Sequence, residues 1–231
     1  MIKTKKKITA LIPARSGSKG IINKNISNLN NHPLIYWTIK SAMESKYINK
    51  VVVSTDSNKI AKISKKIGAT VPGIRPKKLS KDNSTTESVI DHYLNYWSEM
   101  DDIIILLQPT SPIRNKKTID DAIKKFIVCK YDSLLSISKV KNNFFWKIKR
   151  NTSIPLYNIN KRLRRQDMND SSFVYYENGS IYIFEASKFL KFNNRLFGKI
   201  GSIVLDKYES IDIDDKDDLN MAKSIFSLNN L

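Results

Sequence analysis

The sequence has almost no cysteine and no long apolar run, and each absence narrows what the protein can be. Cys129 is the only cysteine among 231 residues, which excludes an internal disulfide and any zinc site built from cysteines. No window approaches the roughly 20 apolar residues of a membrane span, so we expect a soluble, cytoplasmic protein. The basic start MIKTKKK precedes an apolar run at 8–14 that is too short for a secretory signal and contains Pro13. We interpret that run as a first strand.

Acidic residues are scarce relative to basic ones. The chain has 22 Asp and Glu against 40 Lys and Arg, which gives a net charge of +18. Phosphate backbones attract such surfaces, so a basic nucleic-acid-binding module is one interpretation. The lysines are nevertheless spread through every segment, as on a solvated surface. We keep the nucleic-acid module as the alternative from another functional class and expect no nucleic-acid or membrane partner.

Short apolar runs alternate with segments of helical period in the first half of the chain. This alternation is typical of a mostly parallel sheet with helices on both faces. The predicted strands are 8–14, 50–54, 102–108 and 133–138, and the predicted helices are 33–45, 57–67, 85–97 and 117–130. Near the end, we predict strands at 180–184 and 202–205 and a helix at about 215–226. Residues 139–170 break the pattern, and we expect an excursion there, either a hairpin or a dimer arm.

A loop of small residues follows the first predicted strand. Its glycines, Gly17 and Gly20, allow main-chain N–H groups to approach phosphate, while Arg15, Lys19 and Lys24 supply positive charge. Neither the P-loop nor the dinucleotide fingerprint fits, because the two glycines are too close together and Lys19 precedes its glycine. On these residues alone, the loop is either a phosphate-binding loop or an ordinary turn whose charges face solvent.

This loop and six later blocks resemble the acylneuraminate cytidylyltransferase family. Residues 12–25 are similar to the family's opening A-R-x-G-S-K-G followed by K-N. The later blocks stand in family order, and they are VVSTD at 52–56, RP at 75–76, LQPTSPIR at 107–114, RQD at 165–167, NGSIY at 178–182 and SIDID at 210–214. The resemblance implies an α/β fold, a three-layer Rossmann-like nucleotidyltransferase fold with a small dimerisation excursion. It makes residues 1–231 a single cytidylyltransferase domain.

The resemblance also implies roles for individual residues. The implied nucleotide contacts are Ala14, Arg15, Ser18, Lys19, Gly20, Asn25, Arg75 and Thr86. The implied sugar contacts are Gln108, Arg165 and Asn178, and the implied catalytic residues are Arg15, Lys24 and Asp214. Asp56 ends a predicted strand, where it either faces the ligand edge of the sheet or caps the next helix.

Asp212 and Asp214 are the candidate Mg²⁺ ligands. If 210–214 is a strand, alternation places both carboxylates on one face. Mg²⁺ commonly takes one or two carboxylates together with water and substrate phosphates. The alternative is that this acidic stretch caps the last helix, a role we assign to Asp217 and Asp218.

The implied reaction joins CTP to an acidic nine-carbon sugar. The anomeric C2 hydroxyl of the sugar attacks the α-phosphorus of CTP, and pyrophosphate leaves. The family usually forms homodimers in which an arm closes the partner's sugar site. After Arg165 the chain departs from the family, since Met168-Asn169 replaces the usual Leu-Pro and the interval to Asn178 is longer. The sugar therefore stays open among sialic, legionaminic, pseudaminic and octulosonic acids.

Overall fold

The structure is a computed structural model that describes residues 4–140, 144–162 and 173–229. Ten strands occur within these residues, and they are β1 (Ile8–Pro13), β2 (Asn28–Leu29), β3 (His32–Pro33), β4 (Lys50–Ser54), β5 (Ile103–Leu107), β6 (Ser133–Lys139), β7 (Trp146–Lys149), β8 (Thr152–Pro155), β9 (Tyr175–Glu185) and β10 (Ile200–Leu205). The described α-helices are α1 (Leu34–Met43), α2 (Asn58–Ile67), α3 (Thr86–Tyr96), α4 (Lys116–Val128), α5 (Ala186–Phe192) and α6 (Lys216–Asn229).

Six strands form a central sheet in the order β10-β6-β9-β5-β1-β4. β1 pairs in parallel with β4 and β5, and β10 pairs in parallel with β6. The mostly parallel sheet is therefore confirmed. β9 runs antiparallel to both of its neighbours, β5 and β6, which the sequence pattern did not predict. Its first residues consequently lie at the edge where β5 and β6 end.

Alternating side chains of the central strands pack into two separate cores. In β5, Ile103, Ile105 and Leu107 join the cluster under α1, α2 and α4, whereas Ile104 and Leu106 join the cluster under α3 and α5. Every residue of β5 is buried, as expected of a strand covered on both faces. The three-layer arrangement is thus confirmed, and burial of each such side chain contributes about 1.5–3 kcal/mol.

Capping residues set the helix boundaries close to the predicted ones. The Ser57 hydroxyl accepts a hydrogen bond from the Ile60 N–H, so α2 begins at Asn58, one residue after its predicted start. Gly68 ends α2 with φ 116°, a left-handed conformation that glycine adopts without strain. Thr85 caps α3 in the same way as Ser57 caps α2.

The residues described at 144–162 form a hairpin outside the central sheet. β7 and β8 pair antiparallel, and Arg150 and Asn151 both have positive φ in the turn. All four residues of β7 are exposed, including the apolar Trp146 and Ile148. This hairpin lies inside the predicted 139–170 excursion, and its role as a dimer arm stays a prediction. No helix in the described part of the chain combines the length and apolarity needed to cross a bilayer.

Candidate active site

A cavity of about 540 Å³ lies at the carboxyl edge of the sheet, beyond the ends of β1 and β5. The structure brings ten of the predicted site residues together in its wall, and they are Arg15, Ser18, Lys19, Gly20, Lys24, Asn25, Arg75, Thr86, Gln108 and Asp214. This is the edge where open α/β sheets place their ligands. The volume is within the range of small-molecule sites.

Asp56 fastens the loop that follows β1. Its carboxylate accepts hydrogen bonds from the Ser16 N–H at 2.8 Å and from the Ser16 hydroxyl at 2.7 Å. The capping interpretation of Asp56 is wrong, because Ser57 caps α2. Ala14 is fully buried, donates its N–H to the Ser54 carbonyl, and does not line the cavity. Its predicted contact with nucleotide stays a prediction.

Asn25 holds the same loop from the other side. Its amide donates to the Arg15 carbonyl at 2.9 Å. Its Oδ1 is buried and has no hydrogen-bond partner among the described residues. An unpaired buried acceptor is costly, so a ligand that donates a hydrogen bond here would relieve that cost.

One carboxylate, Asp82, pairs with two of the loop cations. An Arg15 guanidinium nitrogen lies 2.9 Å from Asp82 Oδ1, and Lys19 Nζ lies 3.1 Å from Oδ2. The hydrogen bond from Lys19, aided by Arg15, holds the pKa of Asp82 below its usual range. The Asp82 carboxylate is thus the anion that lies between Arg15 and Lys19 in the structure.

The segment that carries Asp82 also forms part of the site, although the sequence motifs did not predict it. Leu79, Lys81, Asp82, Ser84 and Thr85 all line the cavity. The only sequence signal is the position of these charged and hydroxyl residues between the RP block and α3, at the carboxyl edge of the sheet. Such a loop is indistinguishable from a solvated one until the strand order is known.

Arg75 is buried beside the cavity. It donates to the Ser54 carbonyl and hydroxyl and to the Ser80 hydroxyl, at 3.0–3.2 Å. Desolvation lowers the pKa of Arg75 to about 10, although the charge of Asp56 opposes that shift. The side chain is still a cation at neutral pH and is held next to the space where an anion would sit.

The segment at 210–214 is not a strand, since Ser210 lies in a turn and residues 211–214 have no regular secondary structure, which corrects the predicted geometry of the acidic pair. Ile213 is fully buried and donates its N–H to the Thr110 carbonyl, while Asp212 and Asp214 are exposed. Asp214 lines the main cavity, and Lys24 Nζ lies 3.0 Å from its carboxylate. Ile213 thus anchors the segment between the two aspartates, of which Asp214 lines the main cavity and Asp212 lines a different recess.

Two other aspartates of this region, Asp215 and Asp218, accept the hydrogen bonds typical of the N-terminal end of a helix. The Asp218 carboxylate accepts from the N–H groups of Asp214 and Asp215, and Asp215 accepts from those of Asp217 and Asp218. The capping role of Asp218 is visible in these bonds, whereas Asp217 contributes its negative charge in the first turn of α6.

A second recess of about 420 Å³ is lined by Asp212, Asn178 and Gly179, together with Tyr176, Glu177, Tyr182 and Ser210. Burial raises the pKa of Asp212, the Thr110 hydrogen bond opposes this, and the charge of Asp214 adds to it. The carboxyl group is thus crowded by neighbouring atoms even though part of the residue surface is exposed.

Asn178 sits at an irregularity where β9 departs from β6. Its Oδ1 accepts from the Ser136 hydroxyl at 2.5 Å, and its amide donates to the Ser138 hydroxyl at 2.8 Å. These bonds replace ladder bonds lost at the register shift between Leu135 and Ile137. The Asn178 side chain is therefore already hydrogen-bonded within the protein. Its contact with sugar stays a prediction. Arg165 lies outside the described residues.

Comparison with known proteins identifies the chain. Residues 9–199 match the family model described as cytidylyltransferase. The chain belongs to the cytidylyltransferase family. It is 33% identical over 224 residues to the N-acylneuraminate cytidylyltransferase of Escherichia coli O18:K1:H7, covering 95% of this chain and 52% of that one. It is 34% identical over 231 residues to the CMP-N,N'-diacetyllegionaminic acid synthase of Legionella pneumophila, covering 96% and 97%.

Solved structures share the fold of this cytidylyltransferase. A CMP:2-keto-3-deoxy-manno-octonic acid synthetase complexed with CTP superposes with a TM-score of 0.71 at 13% identity, covering 96% of this chain and 99% of that one. A cytidylyltransferase from Leptospira borgpetersenii gives a TM-score of 0.61 at 19% identity, covering 96% and 87%. At these identities the likeness shows the fold alone. The chain spans about half the length of several curated relatives, such as the E. coli protein.

The acidic side chains of this cytidylyltransferase suit a metal site that substrate and water complete, rather than one built from protein ligands alone. Within 4–140, 144–162 and 173–229, no group of three or more His, Cys, Asp or Glu side chains is arranged to hold a metal ion. Asp212 and Asp214 nevertheless project from one anchored segment and interact electrostatically. Two carboxylates fit Mg²⁺ when substrate oxygens and water complete its shell.

Proposed function

We propose that this protein transfers CMP from CTP to the anomeric C2 hydroxyl of an acidic, sialic-acid-like nine-carbon sugar and releases pyrophosphate. The observation that carries the proposal is the charge of the cavity. Its described lining holds five cations, which are Arg15, Lys19, Lys24, Arg75 and Lys81, against the carboxylates of Asp82 and Asp214. The named relatives act on N-acylneuraminate and N,N'-diacetyllegionaminate, which supports an acidic sugar as acceptor.

The cations would bind the triphosphate and stabilise the charge that develops during the displacement. Arg15 and Lys19 already hold a carboxylate between them, so their spacing suits an anion. Lys24 is only 12% exposed, which strengthens its interaction with charge. Catalysis then rests on positioning and electrostatic stabilisation, without a covalent intermediate on the protein.

Mg²⁺ is the cofactor we propose. Asp214 in the cavity wall and Asp212 in the adjoining recess would hold it with substrate oxygens. When bound, the ion would neutralise phosphate charge and lower the pKa of the sugar hydroxyl. Asp212 and Asp214 meanwhile mark the border where the two substrates would meet.

Gln108 and the recess would bind the sugar. Gln108 follows β5 at the cavity wall, and its side-chain amide makes no hydrogen bond to another described residue. It can therefore offer both a donor and an acceptor to a ligand. The chain is about equally identical to its sialic-acid and legionaminic-acid relatives, at 33% and 34%, so the identities do not select one sugar. Pseudaminic and octulosonic acids are kept beside these two as candidate acceptors.

The decisive experiment measures pyrophosphate release with CTP, Mg²⁺ and each of these acid sugars in turn. We expect turnover that requires both substrates and gives a CMP-sugar by mass spectrometry. Turnover with none of the sugars would reject the proposal. A nucleic-acid-binding module, which family membership disfavours, would instead bind oligonucleotides with a steep salt dependence and show no turnover.

We further propose a homodimer formed through the β7–β8 hairpin. Its exposed apolar side chains include Trp146, Ile148, Ile154 and Leu156, which a partner surface would cover. Light scattering after size exclusion should give twice the chain mass, and Trp146→Ser with Ile148→Ser should shift it toward the monomer. Use of CTP supports a cytoplasmic location.

A further inference from the structure

Arg114 is the largest fully buried side chain in the described structure, and the proposed reaction does not use it. One guanidinium nitrogen donates to the Ser180 carbonyl at 2.7 Å and to the Ser180 hydroxyl at 2.8 Å. The other lies 3.3 Å from the Thr38 hydroxyl and 3.5 Å from the Gln108 carbonyl. Three separate elements, β9, α1 and the end of β5, thus meet at one side chain.

All of these acceptors are uncharged. Among the described residues, no carboxylate lies within ion-pair distance of Arg114, and its Nε has no partner. Desolvation lowers the pKa of Arg114 to about 9, while the more distant charge of Glu209 opposes the shift. A buried cation without a carboxylate is costly to fold, so its retention calls for a specific use.

The position of Arg114 indicates that use. Gln108 lines the main cavity, and Ser180 directly follows Asn178 and Gly179, which line the recess. The rigid fork of a guanidinium can span both, since it offers five donors in one plane. Arg114 therefore fixes the distance between the strand tip that carries Gln108 and the irregular part of β9 that forms the recess wall.

Arg75 is a second buried arginine with neutral acceptors, and it lies on the other side of the cavity. Its partners are Ser54 and Ser80, at the end of β4 and beside the Asp82 segment. Arg75 itself lines the cavity, whereas Arg114 lines neither the cavity nor the recess. The two arginines thus brace different halves of the site.

We propose that Arg114 is a positioning residue for the acid sugar: it holds Gln108 and the irregular stretch of β9 at Gly179 at the spacing that the sugar requires, without touching either substrate. The inference rests on the proposed function. It gives Arg114 a role different from that of Arg75, which lines the cavity and interacts electrostatically with Arg15, one of the cations that would hold the triphosphate.

The test compares Arg114→Lys with Arg75→Lys, because each variant keeps the positive charge and removes the fork. We expect Arg114→Lys to lower kcat/KM for the acid sugar about tenfold or more, since small misplacements in a site have effects of this size, and to leave the KM for CTP within about twofold. Arg75→Lys should mainly raise the KM for CTP. Thr38→Val lies outside both pockets and removes one acceptor of the fork together with the 3.4 Å hydrogen bond from the Thr38 hydroxyl to the Gln108 carbonyl. It should repeat the Arg114→Lys pattern with a smaller loss.

Thermal unfolding and CTP binding, measured on each variant, separate positioning from stability. A lowered melting temperature with unchanged sugar kinetics in both Arg114→Lys and Thr38→Val would overturn the proposal, as would equal losses for the two substrates. If Arg114→Lys does not fold, Thr38→Val decides alone. If the wild type turns over no acid sugar, the proposed function fails and this assignment fails with it, whereas wild-type turnover with unaltered variants rejects only the role of Arg114.

Discussion

Lys24 Nζ lies 3.0 Å from the Asp214 carboxylate and 2.6 Å from the main-chain oxygen of Ile213, which joins the loop after β1 to the segment before α6. The lysine is mostly buried at 12% exposure, whereas the Asp214 side chain is 78% exposed. The contact places a free carboxylate edge in the cavity and ties it to a fixed cation.

Asp214→Asn should abolish CMP-sugar formation and leave the fold intact. The amide keeps the shape of the side chain but loses the charge that would hold Mg²⁺. Because the side chain is exposed, the free energy of unfolding should change by only about 0.5 kcal/mol. Pyrophosphate release and thermal unfolding measure the two effects, and Asp217→Asn, outside the cavity, is the control. Wild-type turnover by Asp214→Asn would remove Asp214 from the mechanism.

Gly20→Ala should damage both stability and activity. A Cβ at Gly20 would collide with the main-chain oxygen of Asp214, so the loop and the C-terminal segment would have to separate. We expect a loss of about 1–3 kcal/mol in unfolding free energy, which is typical of overpacking, and a lower kcat. Gly17→Ala is a matched control in the same loop, since a Cβ there meets no atom within 4 Å. Equal stability of the two variants would contradict the close approach.

Asp82→Asn should lower the KM for CTP. Arg15 and Lys19 are paired to Asp82 and would be released for the triphosphate. These groups are substantially exposed, so we expect only about a two- to fivefold change at low ionic strength and none in high salt. Asp121→Asn, which removes the Lys117 pair on α4, should leave KM unchanged. A higher KM for Asp82→Asn would mean instead that Asp82 orients the two cations in the bound state.

The parts of the site that follow one strand could be predicted from sequence, because local pattern fixes where a strand ends. The loop at Arg15 and the tip at Gln108 lie at the cavity as their strands require. What depends on long-range pairing was not predictable. The antiparallel direction of β9, the placement of Asp82 against Arg15, and the non-strand conformation around Asp212 all follow from contacts distant in sequence. Asp56 illustrates the limit, since its partner Ser16 lies 40 residues away.

His92 on α3 should make the protein less stable in acid. Burial, followed by repulsion from the charge of Arg75, lowers the pKa of His92, and the neutral ring packs edge-on against Trp97. A histidine whose folded pKa is depressed binds protons more readily when unfolded. Its stabilising contribution is therefore complete above the ordinary pKa of about 6.5 and is lost as the pH falls below it.

His92→Gln, which cannot titrate, should flatten the fall in melting temperature between pH 7 and about 5. The ring contacts are lost at every pH, so the comparison concerns the slope and not the absolute value. We expect a reduction of about 1–2 °C in the acid-induced fall, given that the site is only partly buried. The same slope in His92→Gln and the wild type would show that protonation of His92 is not opposed by the fold around Arg75.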